Sequence, residues 1–195
     1  FVATKKQSKF VLEKYVKKVN MPYITERWYG GMLTNFVTIR KTVKKLDIID
    51  RMKEDGTIET LSKRERLQME RDRSKLDKYL GSISDMNRLP AAVLVVDILR
   101  EKIAIQEASK LNIKTFAMVD TNSNPDLVDF PIPSNDDASK SIDIILSYVF
   151  EAIEEGLNER EKDLKMQKEQ AEKNKTIKSD NKDSNKDGKK SSSES

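Results

Sequence analysis

Two kinds of side chain in this sequence could do chemistry: carboxylates at the ends of apolar runs, and a dense set of cations around a single tryptophan. Ala91–Val96 is a continuous apolar run that stops at Asp97, and Lys114–Val119 is a second that stops at Asp120, followed by Thr121 and Asn122. An open parallel sheet binds ligands outside the carboxyl ends of its strands. Asp97 and Asp120 could therefore hold Mg²⁺ together for phosphoryl transfer, as a nucleotide- or phosphate-binding enzyme would require. The glycine patterns that cradle phosphates in such enzymes, Gly-x-Gly-x-x-Gly and Gly-x-x-x-x-Gly-Lys-Ser/Thr, are both absent. Asp and Asn after buried strands also form turns and cap helices, which is the plainer reading.

The cations are the more specific signal. The net charge of +4 conceals a strong polarity: residues 1–45 hold 11 Lys/Arg against 2 Asp/Glu, whereas residues 91–157 hold 5 against 12. Lys5 and Lys6 sit where a strand hands over to a helix, and Lys9, Lys14, Lys17 and Lys18 continue along that helix. Arg40, Lys41, Lys44 and Lys45 recur at helical spacing, and Lys63, Arg64, Arg66, Arg71 and Arg73 crowd a second helical stretch. A rod with cations on its outer side can track a phosphate backbone. Arg27 beside Trp28 and Tyr29 offers planes that can stack on unpaired bases, while Trp28 serves equally well as a core anchor. Asp47, Asp50, Glu65, Glu70 and Asp72 interleave with the basic residues, so a self-paired helical surface is the competing account.

The elements that must position these groups follow from periodicity. A strand end at Phe1–Ala3, a helix over Lys5–Val19 and a short strand at Pro22–Thr25 make a β-α-β unit. Next come two charged helices. The first has its apolar stripe at Phe36, Ile39, Val43, Leu46 and then Ile49 or Met52, with Thr34 or Asn35 to cap it. The second has Leu67, Met69, Leu76, Leu80 and Ile83. Narrow stripes with charged outer faces predict an antiparallel two-helix coiled coil. Its turn lies near residues 53–57, Ser62 and Glu65 form a capping box, and Gly81 is the C-cap glycine.

Beyond it the sequence predicts a buried strand at Ala91–Val96, a helix over Leu99–Leu111 with Ile103, Ala104, Glu107, Ala108 and Leu111 at helical spacing, a buried strand at Lys114–Val119 and a short strand at Val128–Ile132. A final helix follows, capped by Ser134 or Asn135, with Asp136 and Asp137 in its first turn and Ile142, Ile145, Leu146, Val149, Phe150 and Ile153 on its buried face. Gly156 is expected to end or loosen it. From Leu157 large apolar residues almost vanish; a helix reaching about Gln170 and a solvated, disordered tail beyond are expected. The resulting domains are 1–34 with 82–157 as an α/β sheet domain, 35–81 as an inserted coiled-coil hairpin, and 158–195 as the tail.

Without Cys or His, disulfides, thiol nucleophiles, histidine-based triads and the common zinc sets are excluded. No apolar run approaches the ~18 residues of a membrane span. Because the chain opens at Phe1 on a strand end, a preceding segment is expected.

Five segments in register resemble the family of bacterial-type small-subunit ribosomal protein number two: Val2-Ala3-Thr4-Lys5-Lys6, Arg27-Trp28-x-Gly30-Gly31-Met32-Leu33-Thr34-Asn35, Leu89-Pro90, Val119-Asp120-Thr121-Asn122-Ser123-Asn124-Pro125, and Ile132-Pro133-x-Asn135-Asp136-Asp137-Ala138. The resemblance spans about Phe1 to Leu157. It implies a flavodoxin-like (Rossmann-like) α/β domain carrying a coiled-coil hairpin, with a structural role and no catalysis, metal or cofactor. The implied partners are small-subunit rRNA near the head–body junction and neighbouring ribosomal proteins. In bacteria these include the large mRNA-binding protein number one. The implied location is the cytoplasmic or an organellar ribosome. RNA contacts are expected from Lys5, Lys6, Lys9, Arg27, Trp28, Arg40, Lys41, Lys44, Lys45, Arg64, Arg66, Arg71 and Arg73. Two departures stand out. The family's N-terminal segment, with a Gly-x-His-Phe-Gly-His-like stretch and the first part of the sheet, is absent, and Tyr29 stands where Leu or Pro is usual.

Overall fold

Ala92–Val96 (β1), Lys114–Val119 (β2) and Phe130–Pro133 (β3) hydrogen-bond side by side, all parallel, in a computed structural model that describes residues 1–187, with side chains through Gln167. The apolar, β-branched runs suit strands covered on both faces. Val2 bridges both Val95 and Ile24 in parallel, so the two N-terminal strands expected from the sequence are reduced to isolated bridges. The third strand lies slightly later than expected.

Side chains alternate across the sheet. Val93, Val95, Ala117 and Val119 face a cluster that includes Ile105 and Ala108 of α4 (Lys102–Lys110), with Met32, Leu33, Val43, Leu80 and Ile83. Leu94, Val96 and Met118 point the other way and are equally buried. The helices α1 (Lys6–Val19) and α5 (Ser139–Asp187) supply further buried apolar residues, Leu12, Val16, Ile142, Leu146 and Phe150. They meet where Tyr15 stacks on Phe150 at 5.5 Å and donates to Asp143 at 2.9 Å.

Helix α4 begins three residues later than the periodicity suggests. Asp97 adopts a left-handed φ of 74°, and residues 98–101 form a turn before the helix starts. Its buried face accordingly shifts: Ile105 is buried, whereas Ile103 and Leu111 are exposed. Residues 36–80 fold as α2 (Phe36–Glu54) and α3 (Lys63–Leu80), joined through a 3-10 turn at Thr57–Thr60. Arg73 pairs with Asp50, and Lys53 lies 3.8 Å from Glu70, so as one chain index rises the other falls: the helices are antiparallel. Val43, Leu46 and Ile49 are buried, but Leu67, read as part of the second stripe, is 49% exposed. The capping box forms as expected: Ser62 Oγ accepts from the Glu65 N–H, and the Glu65 carboxylate accepts from the Ser62 N–H at 3.0 Å.

Gly81 sits at the C-cap of α3 as expected, but not in the left-handed conformation of a C-cap glycine. Its φ of −57° and ψ of −37° are right-handed helical, and the chain runs on into a 3-10 turn at Gly81–Ile83. An added Cβ would meet only the carboxyl tip of the exposed, flexible Asp77 at close range. Gly81→Ala should therefore stabilise the fold by about 0.5 kcal/mol through reduced chain entropy. A left-handed cap would instead lose stability on the same change. Chemical denaturation of both proteins separates the two.

The chain divides into two units, Phe1–Phe150 and residues 151–195. In the second, α5 passes through Gly156, next to which an added Cβ would find open space, and continues to Asp187. Glycine costs an exposed helix about 1 kcal/mol without breaking it. The disordered tail expected beyond Gln170 is thus replaced by helix up to Asp187; the last eight residues of that expectation lie outside the described residues.

Candidate nucleic-acid interface

One of the two strand-end carboxylates, Asp97, is tied up by a lysine. Thr4-Lys5 emerges from the Val2 bridge beside the ends of β1 and β2. The Lys5 Nζ lies 2.8 Å from Asp97 Oδ2, 2.8 Å from Asp136 Oδ1 and 2.8 Å from Asp137 Oδ1. An ammonium has three donors, and all are spent. Burial opposes its charge, but the hydrogen bonds to Asp136, Asp137 and Asp97 outweigh that and hold Lys5 protonated well above the ordinary range. Asp136 is fully buried. It is not in the first turn of α5, as its sequence position suggests, but before the helix. Its neighbour Asn135 accepts the N–H groups of Asp137 and Ala138 at 2.9 and 3.0 Å. Burial pushes the Asp136 carboxyl up despite Lys5.

Next to this knot Arg100 donates to Thr4 Oγ1 at 2.7 Å, and Thr4 in turn donates to the buried Glu101. Asp120 accepts the N–H groups of Thr121 at 2.6 Å and Asp136 at 3.3 Å, which hold it below the usual carboxylate range. Asp97 and Asp120 are therefore not a free pair awaiting a cation. The Lys5 ammonium already bridges Asp97 to Asp136, and Asp120 organises a loop. Lys5, for which RNA contact is expected, is held in the structure as a counter-ion of Asp97, Asp136 and Asp137.

The Arg27–Phe36 segment is built around another carboxylate, which the sequence reading placed on a helix face without assigning it a task. Glu107 of α4 is 6% exposed. Its Oε1 accepts from Gly31 N–H at 2.6 Å and Trp28 Nε1 at 3.2 Å. Its Oε2 accepts from Leu33 N–H at 2.9 Å, Thr34 N–H at 3.0 Å and Thr34 Oγ1 at 3.1 Å. Burial pushes Glu107 up, but the backbone donors of Thr34, Gly31 and Leu33, with Trp28, win and hold it below the usual range. Gly31 is needed because its φ is +92°. Neither predicted cap acts as one: Asn35 caps nothing with its side chain, and Thr34 is committed to Glu107. Trp28 is half-buried against the sheet cluster, the anchor role rather than a free stacking plane, and Tyr29 packs edge-on to Tyr79 at 5.4 Å. The legible signal was a carboxylate on the apolar face of α4 between Ala104 and Ala108.

The remaining cations sort into two groups. Lys9 pairs with Glu26 at 3.1 Å, Arg40 donates to the Asn87 carbonyl and Oδ1 at 3.1 and 3.0 Å, and Arg73 makes a two-pronged pair with Asp50. Trp28 joins this inward-committed set. Lys6, Arg27, Lys41, Lys44, Lys45, Arg64 and Arg71 are exposed, Arg66 is half-buried, and none of these eight has an ion pair among the described residues. Lys41, Lys44 and Lys45 lie within two turns of α2, so the arm presents charge with no ion-pair partner among the described residues.

Comparison with known proteins bears on what such a surface meets. A family model described as Ribosomal protein S2 matches residues 1–156. A relative from Christiangramia forsetii named "Small ribosomal subunit protein uS2" is 64% identical over 179 residues, which is 92% of this chain and 60% of the relative. Relatives of the same name from Flavobacterium psychrophilum and Porphyromonas gingivalis are 68% and 61% identical, over 84% and 82% of this chain and 61% and 57% of their own lengths. The chain spans about 60% of the length of the curated relatives it matches.

Proposed function

The chain belongs to the ribosomal protein S2 family, and from that premise we propose that it is a structural component of the small ribosomal subunit that binds rRNA without catalysing a reaction. The observation that carries the reading is the set of cations on α2, α3 and the start of α1 that have no ion pair among the described residues, in a chain whose acidic excess lies elsewhere, in residues 91–157. Backbone phosphates supply most of the affinity in such contacts and need no base-specific geometry. The interface we assign comprises Lys6, Arg27, Lys41, Lys44, Lys45, Arg64, Arg66 and Arg71. Lys5, Arg40, Arg73 and Trp28 hold the scaffold.

The antiparallel pair α2–α3 acts in this reading as a coiled-coil arm on a flavodoxin-like sheet domain. The site on the subunit is the head–body junction, with neighbouring ribosomal proteins, the large mRNA-binding protein number one among them, as further partners in the bacterial cytoplasm. The Mg²⁺-dependent enzyme reading has little support, because Asp97, one of the two carboxylates it needs, is already paired with Lys5.

Sedimentation tests the proposal. Mixed with small subunits depleted of their own copy, the chain should co-sediment at low salt and be released steeply as salt rises. A chain that stays at the top of the gradient at low salt refutes it.

A further inference from the structure

Helix α2 starts without help from its own sequence. No acidic residue lies in its first turn, and its N-cap side chain makes no capping bond. The charge that the helix dipole favours there comes instead from another element: Glu107 on α4, 74 residues downstream of Leu33. Both carboxylate oxygens are loaded, and the donors are the backbone N–H groups of Gly31, Leu33 and Thr34 together with two side chains. Backbone donors cannot swing away as side chains do, so the carboxylate fixes the path of the turn itself. The turn is also short: Gly31 C=O already accepts from Asn35 N–H at 2.9 Å, and Phe36 is the first residue of the helix. Of the arm, only Val43, Leu80 and the flanking Ile39, Leu76 and Tyr79 reach the sheet cluster. The long outer part has no sheet contact in that cluster to set its direction.

We propose that Glu107 is a positioning residue for the arm: seated in the turn before α2, it sets the direction in which α2 and α3 leave the sheet, and so aligns the arm's cations with those of α1 and Arg27 on one RNA. The last step rests on the RNA-binding reading above; the first does not. Charge-assisted bonds to a buried carboxylate are the strong class. Glu107→Gln keeps the shape but turns one acceptor into a donor facing donors, so the turn must re-form around it.

The absence of cysteine makes the test clean. Labels at Thr57→Cys, at the arm's far end, and Ser109→Cys, on the exposed side of α4, report the arm's direction by pulsed electron resonance on the full chain. With Glu107 the distance distribution should be narrow. Glu107→Gln should broaden it at least twofold while circular dichroism still shows folded helices, and Thr34→Val, which spares the three backbone donors, should broaden it less. If Glu107→Gln is too unstable to label, Trp28→Phe takes its place, with broadening expected to fall between the two.

On small-subunit rRNA, Glu107→Gln should bind about tenfold more weakly, with a shallower dependence on salt, because fewer cations engage together. An unchanged distance distribution in a folded variant overturns the positioning role, whatever the RNA does. A broadened distribution with wild-type RNA affinity and salt slope keeps the positioning role and removes its functional step. A wild-type chain that binds no RNA refutes the ribosomal reading and leaves the distance result standing.

Discussion

Lys5→Met should destabilise the fold by roughly 3–5 kcal/mol, the cost of leaving a buried charge without its partner. The ammonium is the counter-ion for Asp97, Asp136 and Asp137, and Asp136 has no solvent exposure. Its Oδ2 already lacks a partner among the described residues. Since domains are stable by only about 5–15 kcal/mol, the loss should appear as a large drop in urea midpoint at unchanged m-value.

The pH dependence of that loss has a definite sign. Burial raises the Asp136 carboxyl, and removing Lys5 raises it further, so the folded variant binds a proton at a pH where the unfolded chain does not. Stability relative to wild type therefore recovers as pH falls from neutral towards the ordinary Asp value of about 3.9. In the wild type, the raised Lys5 pKa contributes stability that is complete below the unfolded lysine value of about 10.5 and is lost only above it. Adding Asp136→Asn to Lys5→Met should restore part of the loss, a coupling that independent sites would not show. A loss below 1 kcal/mol would mean that Lys5 is not the counter-ion.

What was legible in the sequence divides along a physical line. Buried parallel strands announce themselves by composition, and β2 falls on the residues the apolar run marks, because a strand covered on both faces tolerates little else. The Ser62 box was legible because capping is local, closed within four residues. The errors that bear on the site are long-range. Ile103 and Ile105 are equally apolar, and only the left-handed turn at Asp97 decides which faces the sheet. Lys5 and Lys6 are neighbours of one type; three carboxylates, two of them more than 130 residues away, draw the first half inside and leave the second exposed. Glu107 and the Gly30-Gly31 turn were each conspicuous, the one as a charge on an apolar face and the other as a glycine pair, yet periodicity cannot say that they meet. The family resemblance named the motifs around Lys5 and Trp28 and implied RNA contact for both. The geometry assigns Lys5 to the scaffold and Trp28 to the anchor of the arm.

That division yields the sharpest functional prediction. Replacing Lys41, Lys44 and Lys45 together by alanine should leave thermal stability within about 0.5 kcal/mol, because all three are exposed and without ion pairs among the described residues. On small-subunit rRNA the same triple change should flatten the slope of log K against log salt by about two to three, since each lysine that meets a phosphate contributes roughly 0.7–0.9. The affinity lost should be greatest at low salt and should fade as salt rises. Arg73→Ala is the control, because its guanidinium is committed to Asp50. It should cost up to about 1 kcal/mol, as a half-exposed pair does, and leave the salt slope where it was. If instead Arg73→Ala flattens the slope and the triple lysine change does not, the cations that meet RNA are the paired ones. The α2–α3 pair would then open its own ion pairs on the RNA, and the arm would have to be read as a rearranging element rather than a preset one.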